Sequence, residues 1–208
     1  VQDNIAKLKN YGYEVIEPDS GYLACGDVGA GKMPDPEVLE SYIIKEVAFE
    51  KDLKGKKVLI TAGPTMEKID PVRFISNHST GKMGYALAKI AMLRGADVTL
   101  VTGKTYITKP DFVKIVEAYS AKEMFNAVNG EFENQDIVIM SAAVADYRPK
   151  TVALEKIKKQ DKDAVIELQR TDDILGTMSA KKTKQFMCGF SMETENMIEN
   201  SKAKLKKK

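Results

Sequence analysis

From residue 57 onward, apolar residues fall in short runs separated by amphipathic stretches. Lys57 to Ala62 (KVLITA) reads as a strand, as do DVTLVT from Asp97, FVKIVEA from Phe112 and AVIELQ from Ala164. DIVIMSAAV, from Asp136, is the most apolar run and is expected at the centre of a sheet. FMCGFSM, from Phe186, is the last strand candidate. Helical spacing occupies the intervals. Met83 to Arg94 places Met83, Leu87, Ile90 and Ala91 on one predicted apolar face, and Gly95 suits a C-terminal stop. Further helices are expected from Ala121 to about Val128, over DDILGTMSAK from Asp172, and from Glu195 onward. Strands alternating with amphipathic helices predict an α/β fold. The form expected is a Rossmann-like, doubly wound, mostly parallel sheet with helices on both faces.

The first 35 residues lack this alternation. They are punctuated by Gly and Pro, and Tyr13 to Ile16 is the one strand candidate. A helix follows in DPEVLESYIIKEVAFEK, with Asp35 at the N-cap and Pro36 at the first helical position. The charged stretch KDLKGKK then leads into the alternating region. The expected organisation is an appendage over residues 1–54 and a main domain over 55–208. The chain opens on Val1 and closes on the lysine-rich pattern KAKLKKK, so a longer parent protein is expected.

Composition narrows the function classes. A formal net charge of +2 over 208 residues gives no global pull toward nucleic acid or membranes. No apolar run is long enough to span a bilayer, and no secretory leader is expected. The two cysteines, Cys25 and Cys188, lie far apart and fit reduced thiols in a cytoplasmic setting better than a disulfide framework.

The unusual feature is the stretch between the first strong strand and its helix, GPTMEKIDPVRFISNHSTGKMG, Gly63 to Gly84. It is not a P-loop, because Ser76 stands where that motif requires a glycine. TGKMGYALAK imitates a dinucleotide fingerprint. However, the strand ends far upstream, and no carboxylate closes the next strand to hold a ribose. Tyr85 and Lys89 have Y-x-x-x-K spacing but lie in the first helix, where surface positions are the simpler reading. Gly81 and Gly84 before a helix suit either phosphate binding at exposed N–H groups or close packing.

The whole stretch closely resembles the CTP-dependent phosphopantothenate–cysteine ligases of coenzyme A biosynthesis. SAAVADYRP (Ser141 to Pro149), KIKK (Lys156 to Lys159), GFSMET and the final lysine-rich helix extend the match from Gly55 to the end. EPDSGYLACGDVGAGKM, with Lys32 where that family usually has Arg, is similar to the end of the flavin-dependent phosphopantothenoylcysteine decarboxylase domain that precedes such ligases. The resemblance implies a two-step ligation. The carboxylate of 4′-phosphopantothenate attacks the α-phosphate of CTP, and the amine of L-cysteine then attacks the acyl-cytidylate. It also implies Mg²⁺ carried with CTP, FMN in the absent decarboxylase domain, and a ligase homodimer with higher assembly in the parent.

The resemblance distributes roles as follows. Asn77 supports the acyl-cytidylate step and amine attack, as a neutral amide can. Lys156 contacts CTP at the α-phosphate, with Lys158 and Lys159 as possible helpers. The backbone of Ser141, Ala142 and Ala143 meets the base, and Asp146 meets ribose or cytosine. Phe190 packs on the nucleotide or is strand core. Lys204 and Lys208, on one helix face, reach the triphosphate. In RTDDIL, Thr171 and Asp172 replace the family's Asn and Pro, so only Asp173 and Ile174 carry over. Gly63, Ser79, Thr80, Gly81 and Gly84, with Asn77, shape the phosphopantothenate site. No protein metal cage is expected, and the lone His78 reads as a loop residue. Cys25 corresponds to the decarboxylase acid and matters only in the parent, whereas Cys188 reads as core. Two other readings remain: an NAD(P)-binding oxidoreductase, and a nucleotide-binding or assembly module without turnover.

Overall fold

Val58 to Ala62 are buried on both sides in the computed structural model, as strands at the middle of a parallel sheet must be. The structure describes residues 1–159, 161, 163–193 and 195–207. It comprises two compact units, Val1–Ala48 and Phe49–Lys208.

The first unit contains helix α1 (Gln2–Asn10), hairpin strands β1 (Asp19–Tyr22) and β2 (Val28–Lys32), and helix α2 (Pro36–Val47). α2 begins as expected, with extended Asp35 before Pro36. The strand expected at Tyr13 to Ile16 is absent, and α1 and the hairpin arise where no core element was predicted. The reason is lack of burial. Neither helix buries a residue, and β1 and β2 pair through a backbone rich in glycine. Hydrophobic periodicity has little to report in such a segment.

The second unit begins with β3 (Lys57–Ala62), the short strands β4 (Met66–Lys68) and β5 (Phe74–Ser76), and helix α3 (Lys82–Leu93). β6 (Asp97–Thr102), β7 (Lys114–Glu117) and helix α4 (Ala121–Glu131) follow, then a 3-10 turn at Phe132–Asn134. The chain continues through β8 (Ile137–Met140), β9 (Tyr147–Pro149), β10 (Leu168–Arg170), α5 (Ile174–Lys181), β11 (Phe186–Gly189) and α6 (Met197–Lys207). Five strands form a parallel sheet in the order β11–β8–β3–β6–β7.

Alternation along the strands makes two cores. Val58, Ile60, Val98 and Leu100 pack with Tyr85, Ala88 and Ala91 of α3 on one face. Leu59, Val101 and Val138 pack with Met124 and Val128 of α4 and Met178 of α5 on the other. Each fully buried aliphatic side chain contributes on the order of 1.5–3 kcal/mol relative to exposure. α4 is also fixed by a reciprocal capping box between Ser120 and Glu123.

Three expectations are corrected. The centre of the sheet is β3, not DIVIMSAAV: a doubly wound chain starts in the middle and builds outward in both directions. AVIELQ does not join the main sheet. Its end, β10, pairs antiparallel with β9, because β8 is already paired on both sides. The buried face of α3 is Gly84, Tyr85, Ala88, Ala91 and Met92, while Met83 and Ile90 are 47% and 39% exposed. Closeness of approach explains this choice, since a Cβ on Gly84 would stand 2.5 Å from that of Ala62. Small residues at Gly84, Ala88 and Ala91 let the helix sit close to the sheet, while Tyr85, Met92 and Leu93 are buried beside them.

Candidate active site

Ligands in open α/β sheets bind beyond the carboxyl ends of the strands. At that edge β3 runs into Gly63, which has φ +74°, and β8 runs into Ser141. The two chain segments stay joined after the strands end. The Ala143 N–H donates to the Gly63 carbonyl at 2.9 Å, and the Thr65 N–H donates to the Ala143 carbonyl at 3.2 Å. Buried threonines continue the seam. The Thr61 hydroxyl accepts from the Ala142 N–H at 3.1 Å, and that of Thr65 accepts from the Ala145 N–H at 3.0 Å. The Ser141 hydroxyl donates to the Thr61 carbonyl at 2.6 Å. The side chain of Ser141 is thus spent on structure.

The long stretch contains its own antiparallel pair, β4 with β5, which sequence pattern did not predict. The Ser76 hydroxyl donates to the Thr65 carbonyl at 2.8 Å, and the next residue, Asn77, donates its side-chain amide to the Ala143 carbonyl at 3.1 Å. Asn77 and Ala143, expected from separate motifs to share a site, are therefore in direct contact. The loop then closes on itself. A Cβ at Gly81 would lie 3.2 Å from the backbone of Gly63. Gly81, with φ +82°, is the N-cap of α3, and its N–H faces the Ser79 hydroxyl at 3.3 Å. The Lys82 N–H faces that of Thr80 at 3.5 Å. Gly63, Ser79, Thr80, Gly81 and Gly84 are thus gathered at one helix N-terminus, a setting favourable to an anion. His78 is an exposed loop residue.

Beside this loop lies a cavity of about 580 Å³. Its lining includes Ala142, Asp146, Asp173, Ile174 and Phe190, all predicted nucleotide contacts. Phe190 is 52% exposed, so it is cavity wall and not strand core. Asp173 also caps α5, accepting from the Gly176 N–H at 2.9 Å, and Ile174 is buried beneath it. Thr171 was set aside on sequence grounds, yet it ties two walls together. Its hydroxyl donates to the Ala145 carbonyl at 2.6 Å and its N–H to the Asp146 carbonyl at 3.0 Å. Arg170 also lines the cavity.

Lys156 is exposed, on a segment tethered to the loop by a residue that the sequence reading passed over. The buried carboxylate of Asp70 accepts from the Val72 and Arg73 N–H groups at 2.8 Å each. It also accepts from the Arg73 guanidinium at 3.0 and 2.6 Å and from the Ile157 N–H at 3.1 Å. Arg73 closes the bracket by donating to the Ile157 carbonyl at 2.8 Å. The paired guanidinium, helped by the three backbone donors, holds the Asp70 carboxyl well below the usual carboxylate range, against the opposing effect of burial. The signal for this role was the Asp-Pro-Val-Arg turn inside the quoted loop. Lys158 and Lys159 are exposed on the same segment.

Of the predicted nucleotide contacts, Ser141, Ala143, Lys156 and Lys204 are not in the cavity lining. Lys204 forms an ion pair with Glu193. Lys208 lies outside the described residues. Cys25 is exposed in the turn between β1 and β2, and Cys188 is half-buried in β11. Tyr85, read from its spacing as a surface residue, is instead 5% exposed, while Lys89 is exposed. No group of three or more His, Cys, Asp or Glu able to hold a metal ion occurs among the described residues. Among them, too, no helix is long and apolar enough to cross a membrane.

A five-strand parallel sheet flanked by helices, with a cavity and a closed polar loop at its carboxyl edge, defines the class as mixed α/β. Residues 53–208 match the DNA/pantothenate metabolism flavoprotein C-terminal domain family, and the chain belongs to that family. It is 47% identical over 208 residues to the coenzyme A biosynthesis bifunctional protein CoaBC of Bacillus subtilis (strain 168), covering 99% of this chain and 51% of that protein. The corresponding protein of Escherichia coli (strain K12) is 44% identical over 207 residues, covering 98% and 51%. The crystal structure of the C-terminal domain of a CoaBC protein aligns with a TM-score of 0.67 at 50% identity, covering 74% of each chain. The chain spans about half the length of the curated relatives it matches.

Proposed function

We propose that the second unit is a ligase of coenzyme A biosynthesis that joins 4′-phosphopantothenate to L-cysteine at the expense of CTP. The observation that carries this reading is the Asn77 amide on the Ala143 carbonyl, which ties the long loop to the backbone between the cavity-lining residues Ala142 and Val144. Two substrates must meet for an acyl-nucleotide to form, and the loop and the cavity supply adjoining places for them.

In the first step a carboxylate oxygen forms a bond to the α-phosphorus of CTP, and the bond to the β-phosphate oxygen breaks, releasing pyrophosphate. In the second step the cysteine amine attacks the acyl carbon, CMP leaves with the bonding electrons, and the amine loses a proton. Both steps gather negative charge on oxygen, so positioned donors and cations are the useful catalysts. Asn77 would hold the acyl oxygen and Lys156 the α-phosphate oxygens. Asp146, the Ser141 to Ala143 backbone, Asp173, Ile174 and Phe190 would hold the nucleoside. Lys204 and Lys208 would serve the triphosphate, which for Lys204 requires exchange of its Glu193 partner. Gly63, Ser79, Thr80, Gly81 and Gly84 would receive phosphopantothenate. Mg²⁺ fits as an ion held by triphosphate oxygens and water, where it offsets charge.

For the longer parent, the proposal includes decarboxylation of the ligated product, with FMN supplying redox chemistry from another domain. An exposed Cys25 on a tight turn suits a proton donor that must reach a substrate held elsewhere. A ligase homodimer belongs to the same reading and is checked by sedimentation.

The test measures pyrophosphate from CTP, phosphopantothenate and Mg²⁺, then amide product once cysteine is added to the full-length protein. Pyrophosphate that depends on phosphopantothenate is expected. Its absence together with tight NADPH binding would favour an oxidoreductase, and nucleotide binding without turnover would leave a binding module.

A further inference from the structure

Thr105 lies outside the motifs and roles discussed so far. It follows β6 by three residues and sits where the two ends of the long loop meet. A Cβ on Gly63 would lie 2.8 Å from the Thr105 Cγ2 methyl, and a Cβ on Gly81 would lie 2.8 Å from the same methyl. One methyl group therefore covers both glycines of the loop's neck. The Thr105 hydroxyl, on the other branch, donates to the hydroxyl oxygen of Tyr85 at 2.8 Å. Tyr85 is held in turn by α3 packing on the sheet, and its hydroxyl lies 3.3 Å from that of Thr102 at the end of β6.

A β-branched side chain has one stiff torsion, so fixing one branch fixes the other. Holding the Thr105 hydroxyl thereby places its methyl. The contact reaches a polar surface through the neck. Gly81 carries the Ser79 hydroxyl on its N–H and begins α3, whose first turn faces outward at the anion-friendly end.

We propose that Tyr85 and Thr105 are positioning residues for the acyl-substrate loop: the tyrosine hydroxyl locks a methyl strap across Gly63 and Gly81. This rests on the ligase reading for the identity of the substrate. Neither residue lines the nucleotide cavity, so the effect should fall on one substrate.

The experiment compares Tyr85→Phe, Thr105→Val and Thr105→Ser in the full-length protein. Tyr85→Phe and Thr105→Val should raise KM for phosphopantothenate about tenfold while KM for CTP stays within about twofold, the scale expected from one lost, partly buried hydrogen bond. Thr105→Ser keeps the hydroxyl but removes the methyl strap itself, so it should raise KM for phosphopantothenate at least as much as Thr105→Val. Amide exchange of ligand-free protein should quicken at residues 79–84 in all three variants and not in α4. Equal changes in both KM values, or KM values that do not move, overturn the proposal. If the wild type makes no pyrophosphate, the ligase reading fails. Amide exchange then decides the positioning claim alone: unchanged exchange at 79–84 overturns it, and selective quickening supports it.

Discussion

Two long connections leave the carboxyl edge of the sheet, and they are built differently. The stretch from Gly63 to Gly81 is polar yet fastened at its neck, at Thr65, at Asn77 and at Asp70. The stretch over residues 150–159 has few anchors among the described residues, and most of them are on the first loop. The Ala153 N–H donates to the Ile69 carbonyl at 3.0 Å, and the Ile157 backbone is clasped by Asp70 and Arg73. Leu154 is 96% exposed between these anchors. A connection becomes rigid when its backbone groups find partners, whatever its length. The first loop can hold a neutral amide in one place. The second carries the exposed Lys156 and borrows that rigidity through its anchors on the first loop.

Four changes probe this contrast, beginning with the largest effect. Asn77→Asp replaces a donor with a charge where the acyl oxygen is proposed to sit. CTP consumption should continue while amide formation falls on the order of 10²–10³-fold, as for loss of one oxyanion donor. A normal amide yield would remove Asn77 from its role. Lys156→Gln should slow single-turnover formation of acyl-cytidylate by about tenfold or more, and unchanged kinetics would contradict the assignment. Gly84→Ala attacks the rigid side, with its new Cβ 2.5 Å from that of Ala62 and 2.7 Å from the Ser141 hydroxyl. Overpacking of this kind costs about 1–3 kcal/mol, so thermal or urea unfolding should show a clear loss of stability.

The smallest effect concerns acid. The folded Asp70 carboxyl titrates below its ordinary value of 3.8, because Arg73 and three backbone N–H groups favour the charged form. Its contribution is therefore complete above about pH 3.8 and is lost as pH falls below it. The Ile157 amide resonance should stay constant from pH 7 to about pH 4 and move only at lower pH. A midpoint at or above 3.8 would show that the clasp is not formed.

The sheet was readable from sequence because burial on both faces leaves uninterrupted apolar runs: Lys57 to Ala62 and Asp97 to Thr102 have the expected bounds. The hairpin of β4 and β5 was not. Its three-residue strands are stabilised by buried Glu67 and Asp70 and by partners distant in sequence. Helix α3 was found, but its buried face was only partly foreseen: Ala91 is buried and Leu87 packs on the core, whereas Met83 and Ile90 are exposed. Tyr85 hid because its hydroxyl partner lies in a different loop. Resemblance located Asn77 and Asp146, whereas Thr171 and Asp70 became visible only through the backbone groups they hold.

The meeting of Gly63 and Gly81 also bears on how such a loop can change over evolutionary time. Because its two ends touch, everything between them is a closed excursion whose length the sheet does not sense. Doubling a flexible loop costs only about 0.6 kcal/mol in closure entropy. Insertions at exposed positions between the anchors are therefore cheap for the scaffold, provided the two glycines stay together and the buried Thr65, Glu67 and Asp70 keep their partners. The neck makes the loop a cassette, open to change while the cavity beside it is left alone.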